Sequence, residues 1–484
     1  MAQRPYSTSA DPYAKRYSHE RRAYWDGAAR RLDSLRSWGG YYHRRLAKVY
    51  GHLVSPGQRV IEFGCGRGDL LAALSPSFGV GVDFSSEMIG RARRRHPELT
   101  FIQADVHDFT LNETFDVIIL SDLLNDVWDV QRVLEQAAKL GTPHTRVIIN
   151  SYSRLWEVPL AVAQKLGLAL PVLRGNWLTV EDFVNLAELA DLDVVRHWQE
   201  VLLPLPIPVL APLLNRFLVR LWPFRALALT NLVVARPKPP AQRKDEHHVS
   251  VIVPVRNEAG NVPEVFSRTP EMGKGTQLVF VEGHSRDDTY QAVLKAIADH
   301  PERPAKLLRQ SGTGKGDAVR LGFSQADGDV LMILDADLTV PPEDLPRFYE
   351  ALCSGKGELV NGVRLVYPME KQAMRYLNLL GNKFFSLCFS WLLGQPIKDT
   401  LCGTKVLWKK DYQKIAANRA LFGQFDPFGD FDLIFGAVKL NRKIVDLPVR
   451  YRERRYGVTN IQRWEHGWLL LRMLLIAARR IKFV

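Results

Sequence analysis

The chain is predicted to fold as two doubly wound α/β domains in tandem. Its 484 residues exceed what one hydrophobic core usually organises. Short apolar runs alternate with helix-like segments in two separate series, and a change of composition divides them. Hydrophobic residues make up 46% and charged residues 24%, the balance of ordinary globular protein, so each half can bury a core of its own.

The dividing segment is RPKPPAQRKDEHH at 236–248, where prolines and mixed charges replace the flanking apolar alternation, as in a linker. It separates an expected domain at 1–235 from one at 249–484. In the first, RVIEFGC, FGVGVDF, LTFIQAD, FDVIILSD and TRVIINS read as strands separated by helices, which predicts βαβ units and a parallel sheet. The apolar, proline-rich stretch 201–234 is expected to close this domain with a last strand, LALTNLVVARP; a surface shared with the second domain or with lipid is the competing reading. In the second domain the pattern restarts with VSVIVPV, TQLVFVEG, AKLLRQ and VLMILDAD.

Cys65, Cys353, Cys388 and Cys402 form no CxxC pair, which argues against a disulfide framework or a zinc site and for a reducing, cytoplasmic setting. The first twenty residues lack the apolar core of a signal peptide. No uncharged apolar run reaches the roughly 18 residues of a membrane span. A formal net charge of +13 would concentrate polyanions: nucleic acid, an anionic membrane surface or a phosphorylated substrate. The arginine-dense stretches 16–50 and 450–480 fit solvated helix faces or membrane-surface docking.

VIEFGCGRG at 60–68 is a strand ending in Gly64, Gly66 and Gly68, followed by a helical DLLAAL. Glycines there let the backbone turn sharply and approach a ligand. The spacing is GxGxG rather than the GxGxxG of dinucleotide-binding turns, and Glu62 stands two residues before the first glycine. A carboxylate at that point repels a pyrophosphate and suits a cationic, phosphate-free cofactor. The next strands end at Asp83, placed to accept from ribose hydroxyls, at Asp105, placed to accept from an adenine amino group, and at Asp122. Strand-ending turn residues and NAD binding are the competing readings. Residues 45–155 resemble a class I S-adenosylmethionine-dependent methyltransferase. The resemblance implies a Rossmann-like fold in which Glu62, Gly64, Gly66, Gly68, Asp83 and Asp105 hold S-adenosylmethionine. It assigns no base: Asp122, Asn125, Asp126, His107 and Asn150 all lie near the expected cleft.

In the second half, VSVIVPVRNEAGNV carries Pro254, Arg256 and Glu258 at a strand end, and LVFVEGHSRDDT delivers Glu282 at the next. GTGKGDAVRLGF at 312–323 is a glycine-rich turn with Lys315 and Asp317 opening a helix, suited to phosphate oxygens but without Walker spacing. GDVLMILDADLTVPPEDL follows. Strand alternation is expected to put Asp335 and Asp337 on one face, where two hard oxygen ligands can share a divalent cation with a diphosphate.

These ordered motifs resemble family 2 glycosyltransferases of the A-type fold, closest to the branch that includes dolichol-phosphate mannosyltransferase and other polyprenyl-phosphate glycosyltransferases. The resemblance covers most of 249–484. It implies that Pro254, Arg256, Glu258 and Glu282 surround the nucleoside of a nucleotide-sugar donor, that Lys315 and Asp317 flank ribose or diphosphate, and that Asp335 and Asp337 carry Mg²⁺ or Mn²⁺. Thr339 stands where that branch usually has glutamine, a weaker metal ligand. KDTLCGTKVLWKK and FGDFDLIFGAVKL match the acceptor-loop and acidic catalytic segments, which makes Asp430, then Asp432 and Asp399, the expected catalytic residues. Arg452, Arg454 and Arg455 can grip diphosphate by bidentate contacts. WEHGWLLLRMLLIAARRIKFV fits an interfacial amphipathic helix or a core-packing one.

The expectation is thus a methyltransferase fused to an inverting, metal-dependent sugar transferase. Its acceptor would be a polyprenyl phosphate or glycan precursor at the inner membrane face, with peripheral membrane contact and no nucleic-acid partner. A glycosyltransferase carrying a non-catalytic cofactor-binding domain is the alternative.

Overall fold

A computed structural model describes residues 12–32, 40–165, 173, 175–240, 246–364, 376–419, 429–452, 454, 456 and 463–483. The chain divides into two compact units, Met1–Lys238 and Pro239–Lys482, the last two residues grouping with the first unit.

The first unit is built on β1 (Arg59–Phe63), β2 (Phe78–Asp83), β3 (Thr100–Gln103), β4 (Phe115–Ser121), β5 (Gly141–Tyr152), β6 (Leu192–Glu200) and β7 (Thr230–Pro237), in the order β3-β2-β1-β4-β5-β7-β6. The first five are parallel, as alternation with helices requires. β7, the expected closing strand, is fully buried and runs antiparallel to both β5 and β6. The sheet is therefore mixed rather than parallel, because an antiparallel neighbour needs no crossover helix; the connection before β7 holds only the short helix Leu210–Arg216 and two 3-10 turns. Alternation along each strand splits the core: Ile61, Phe63, Ile118 and Leu120 pack on one face, Val60, Val117, Ile119 and Ile148 on the other.

The second unit carries β8 (His248–Val255), β9 (Gly275–Glu282), β10 (Ala305–Arg309), β11 (Val330–Ile333), β12 (Leu359–Val363), β13 (Lys405–Trp408) and β14 (Ile444–Pro448), in the order β10-β9-β8-β11-β13-β12-β14. β13 runs antiparallel to β11 and β12; the other pairings are parallel. Here too the core lies on both faces, Val251 and Val253 on one and Ile252 on the other.

Each sheet has one point where the chain, having built outward in one direction, returns to the starting strand and builds the other way. In the first sheet this lies between β1 and β4, in the second between β8 and β11. Open α/β sheets leave a crevice beyond the carboxyl ends of such a strand pair.

Candidate active sites

In the first unit, β1 carries Glu62, 3% exposed, whose Oε2 has no hydrogen-bond partner among the described residues. Burial pushes its carboxyl well above the usual range. The loop that follows turns on Gly64, Gly66 and Gly68, all at positive φ (70°, 51° and 77°). Gly66 opens onto free space where a side chain would begin, whereas a Cβ on Gly68 would strike the Phe101 ring. The Gly66 N–H donates to Asp83 Oδ2 at 2.9 Å, tying this loop to the tip of β2, and the Ser85 N–H donates to Oδ1 at 2.9 Å. Burial outweighs these bonds and pushes Asp83 up to about 6. A buried carboxylate with one unpaired oxygen, on the strand that leads into a glycine loop open at Gly66, fits a cationic cofactor such as S-adenosylmethionine.

Asp105 lies two residues beyond β3. It accepts from the His107 backbone at 3.0 Å and ring Nδ1 at 2.6 Å, while the Asp129 N–H donates to His107 Nε2 at 3.2 Å, so this histidine is a structural brace. Burial works to raise Asp105, and the His107 contacts outweigh it and hold it below the usual range. The helix Pro12–Leu32 reaches the same region: Ser85 Oγ donates to Asp26, and Arg21 pairs with Asp126 at 2.8 Å.

In the second unit, β8 ends with Pro254, exposed Arg256 and buried Glu258. Glu258 accepts from Asn261 Nδ2 at 2.7 Å and pairs with Arg454 at 3.1 Å; its burial outweighs both and pushes it up to about 7. Glu282, 2% exposed at the end of β9, accepts from the Ser285 N–H and pairs with Arg309 at 3.4 Å. Asp317 accepts from the Gly312 N–H at 3.1 Å and so fixes the glycine-rich turn.

Asp335 and Asp337 do not share one face of a strand, as alternation led us to expect. β11 ends at Ile333, and both aspartates lie in the turn that follows, where Leu338 takes a φ of 55°. The turn gives them different partners. Asp335 pairs with Lys315, and Asp337 accepts from Arg454 at 2.6 Å and from the Thr339 hydroxyl at 2.8 Å. Burial disfavours the Lys315 charge, but Asp335, Asp430 and Asp337 together hold it above its ordinary value. Burial likewise works against Asp335, and Lys315 outweighs it.

Asp430 opens the helix Asp430–Lys439 after Gly429, and its Oδ1 lies 3.3 Å from Nζ of fully buried Lys405 without a hydrogen bond. Lys405 was not foreseen; its signal is a lysine in the apolar run TKVLW. Gly403 was missed as well. A Cβ there would stand 2.1 Å from Asp335 Oδ2, so only glycine leaves that carboxylate its space. Two carboxylates with the Thr339 hydroxyl nearby form an all-oxygen donor set, which fits Mg²⁺ or Mn²⁺.

The expected residues therefore separate into a group and outliers. Glu258, Lys315, Asp335, Asp337, Asp430 and Arg454 are linked by ion pairs or direct electrostatic interaction. Asp432 pairs with Arg419 at 2.7 Å, and Arg452 is exposed, its N–H bonded to the Thr339 carbonyl. Asp399 is fully buried and accepts from the Arg364 backbone, Nε and NH2, from Asn382 and from the Leu401 N–H. Arg455 lies outside the described residues.

Comparison with known proteins finds relatives for each half of the chain. A methyltransferase domain model matches residues 54–188, and the glycosyl transferase family 2 model matches residues 250–415. An undecaprenyl-phosphate 4-deoxy-4-formamido-L-arabinose transferase of Salmonella paratyphi B is 32% identical over 222 residues, 43% of this chain and 61% of the relative. The chain spans 35% to 61% of the length of the curated relatives it matches. Among solved structures, a glucosyl-3-phosphoglycerate synthase of Mycobacterium tuberculosis is similar at 17% identity and a TM-score of 0.36, over 49% of this chain and 81% of that one. An S-adenosylmethionine-dependent methyltransferase of Mesorhizobium loti is similar at 22% identity and a TM-score of 0.29, over 37% and 91%. The chain thus carries a methyltransferase domain fused to a family 2 glycosyl transferase domain.

The burial of Asp399 yields a prediction. Asp399→Ala leaves Arg364 buried without its counter-charge and should lower the unfolding free energy of the second unit by about 3–5 kcal/mol, measured by urea denaturation of the full chain. An unchanged transition would show that the pair carries no structural weight.

Proposed function

We propose that the chain is a bifunctional enzyme. The first unit transfers a methyl group from S-adenosylmethionine, and the second performs inverting glycosyl transfer from a nucleotide sugar to a polyprenyl phosphate or glycan precursor. The observation that carries the second half is the linked group of Asp335, Asp337, Lys315, Arg454 and Asp430 beyond β8 and β11. A divalent ion on Asp335 and Asp337 would supply Lewis-acid neutralisation of the departing diphosphate. Lys315 and Arg454 already sit on those carboxylates, so they are placed to turn to phosphate oxygens when the carboxylates take up a metal. Buried Glu258 and Glu282 are suited to orient the nucleoside. Asp430, which no hydrogen bond ties to Lys405, is left to orient the acceptor; an acceptor that is itself a phosphate needs little base help.

In the first unit, the loop Gly64–Gly68 supports binding of the methionine part of S-adenosylmethionine, Asp83 of its ribose and Asp105 of its adenine, and Glu62 supports its cationic part. A bound cation would reverse the burial effect on Glu62 and return it to the ionised form.

Contact with a membrane surface is supported by two helices of the second unit that pack on each other, Tyr376–Leu393 and Arg463–Ala477. They leave Leu387 and Trp468 each 73% exposed, with Leu475 and Phe384 also on the surface. The basic residues Arg479, Arg480 and Lys482 follow directly. This mixture suits an anionic interface. No helix among the described residues is long and apolar enough to cross a membrane.

Two outcomes test the proposal. With labelled S-adenosylmethionine and a cell extract, wild type should label a glycan or lipid, and Asp83→Ala should not. Binding should also weaken as pH falls through about 6, because protonation of Asp83 removes acceptor capacity for the ribose hydroxyls. Labelling unchanged in Asp83→Ala would refute the assignment. With Mn²⁺, a nucleotide-sugar panel and undecaprenyl phosphate in anionic vesicles, nucleoside diphosphate should be released and the protein should sediment with the vesicles. Asp337→Ala should slow release at least about a hundredfold, the loss of several kcal/mol of charge stabilisation. Full turnover in that variant would remove the metal role.

A further inference from the structure

Asp122 belongs to neither group described above. It follows β4 directly at a φ of 53°, held by its N–H to the Asn150 carbonyl at 3.1 Å. Its Oδ1 accepts two bonds, from Tyr42 at 2.9 Å and from Asn150 Nδ2 at 2.6 Å. Both donors are themselves fixed. Tyr42 lies 3.2 Å from buried Thr230 Oγ1, and Tyr50 donates to Asn150 Oδ1 at 2.7 Å. Four side chains from the helix Gly40–Leu53, β5 and β7 thus brace a single carboxylate oxygen at the tip of β4, Tyr42 and Asn150 directly and Thr230 and Tyr50 behind them. Oδ2 takes no bond among the described residues, and Asp122 is half-buried.

The surroundings are neutral and aromatic. Tyr42 and Tyr152 have ring centroids 5.9 Å apart, and Trp177 lies 6.4 Å from Tyr152. The titratable groups facing Asp122 are Tyr42 and Tyr50 from the helix and Tyr152 from β5. Glu62 of β1 acts on Tyr50, Tyr24 of the N-terminal helix acts on Tyr152, and His43 packs edge-on to Tyr42 at 5.3 Å. Burial raises all three facing tyrosines, which keeps their hydroxyls protonated as donors. Leu123, the next residue, closes over Gly64 of the cofactor loop: a Cβ on that glycine would stand 2.8 Å from it.

We propose that Asp122 is the proton acceptor of the methyl-transfer reaction, and that the molecule methylated is a neutral hydroxyl compound held against Tyr42, Tyr152 and Trp177. The proposal rests on the methyltransferase reading of the first unit. A hydroxyl is a far weaker nucleophile than a neutral amine and must lose its proton as it attacks, so it needs a base within reach. Aromatic faces suit the apolar side of a sugar or polyol, and the lone carboxylate disfavours phosphate or carboxylate acceptors. In the step, the hydroxyl oxygen forms the new bond to the methyl carbon and the carbon–sulfur bond breaks with its electron pair going to sulfur. The hydroxyl proton passes to Asp122 Oδ2, leaving an ether and S-adenosylhomocysteine. Burial pushes Asp122 up to about 7, against the lowering effect of the Tyr42 and Asn150 bonds, which suits a base working near neutrality.

The test compares full-length wild type, Asp122→Asn and Tyr42→Phe. S-adenosylhomocysteine affinity, by calorimetry, should be unchanged in Asp122→Asn. Transfer of labelled methyl to the neutral sugar and glycolipid fractions of a cell extract should fall at least about a hundredfold. Wild-type transfer should rise with pH through about 7. In Tyr42→Phe, which removes a bond favouring the ionised carboxylate, that inflection should move to higher pH, and the Asp122 carboxylate infrared band of the ligand-free protein should move with it. An Asp122→Asn enzyme with unchanged rate and pH profile would overturn the base role alone. Label found only on nitrogen or on anionic oxygen would overturn the acceptor class. Wild type that fails to bind S-adenosylhomocysteine, or binds it and labels nothing, would overturn the methyl-transfer reading and this proposal with it.

Discussion

Parallel strands all point their carboxyl ends the same way, so acidic residues that end successive strands gather along one sheet edge. Both units do this, and like charges in a partly dehydrated crevice must be compensated. The two units compensate differently. Around Asp83 and Asp122 the donors are neutral: backbone N–H groups of Gly66 and Ser85 in one case, Tyr42 and Asn150 in the other. Burial wins there, and both carboxyls titrate far above an ordinary aspartate. Around Asp335, Asp337 and Asp399 the donors are cations, Lys315, Arg454 and Arg364.

That contrast matches the chemistry proposed for each unit. A site whose acids are neutralised by dipoles gains most from a cationic ligand, which suits a sulfonium cofactor and leaves one carboxylate free to take a proton. A site whose acids are already paired with lysine and arginine is poised for exchange. A metal ion can take the carboxylates while the released cations take the diphosphate, and the total charge of the crevice changes little. Asp399 is the exception, since five donors from three chain segments surround it and leave no face for a substrate.

The legible features were those that local pattern dictates. The apolar runs that became β1 to β5 and β8 to β11 carry the turns, glycines and acids of both sites within a few residues of the strand they end. β6, β12, β13 and β14 were not anticipated; β12 spans only Leu359–Val363, β13 Lys405–Trp408 and β14 Ile444–Pro448, and all three lie among helices of stronger pattern. The antiparallel course of β7 and β13 follows from how the chain returns, which no local window contains. The same reason hid the Asp122 network. Tyr42 meets Asp122 across 80 residues and Thr230 across 188. The aspartate pair after β11 was misjudged in geometry because strand alternation was extended to Asp337, past the strand's end at Ile333.

The central claim is that one chain holds two chemically distinct sites at the carboxyl edges of its two sheets. Hydrogen exchange of the full chain tests it most directly. S-adenosylhomocysteine should slow exchange at 62–68 and 83–85 and leave 335–339 unchanged, while the best-binding member of a nucleoside diphosphate panel with Mn²⁺ should do the reverse, slowing 254–258, 282–285 and 335–339. Protection of the same peptides by both ligands, or of neither set by its own ligand, would contradict the account.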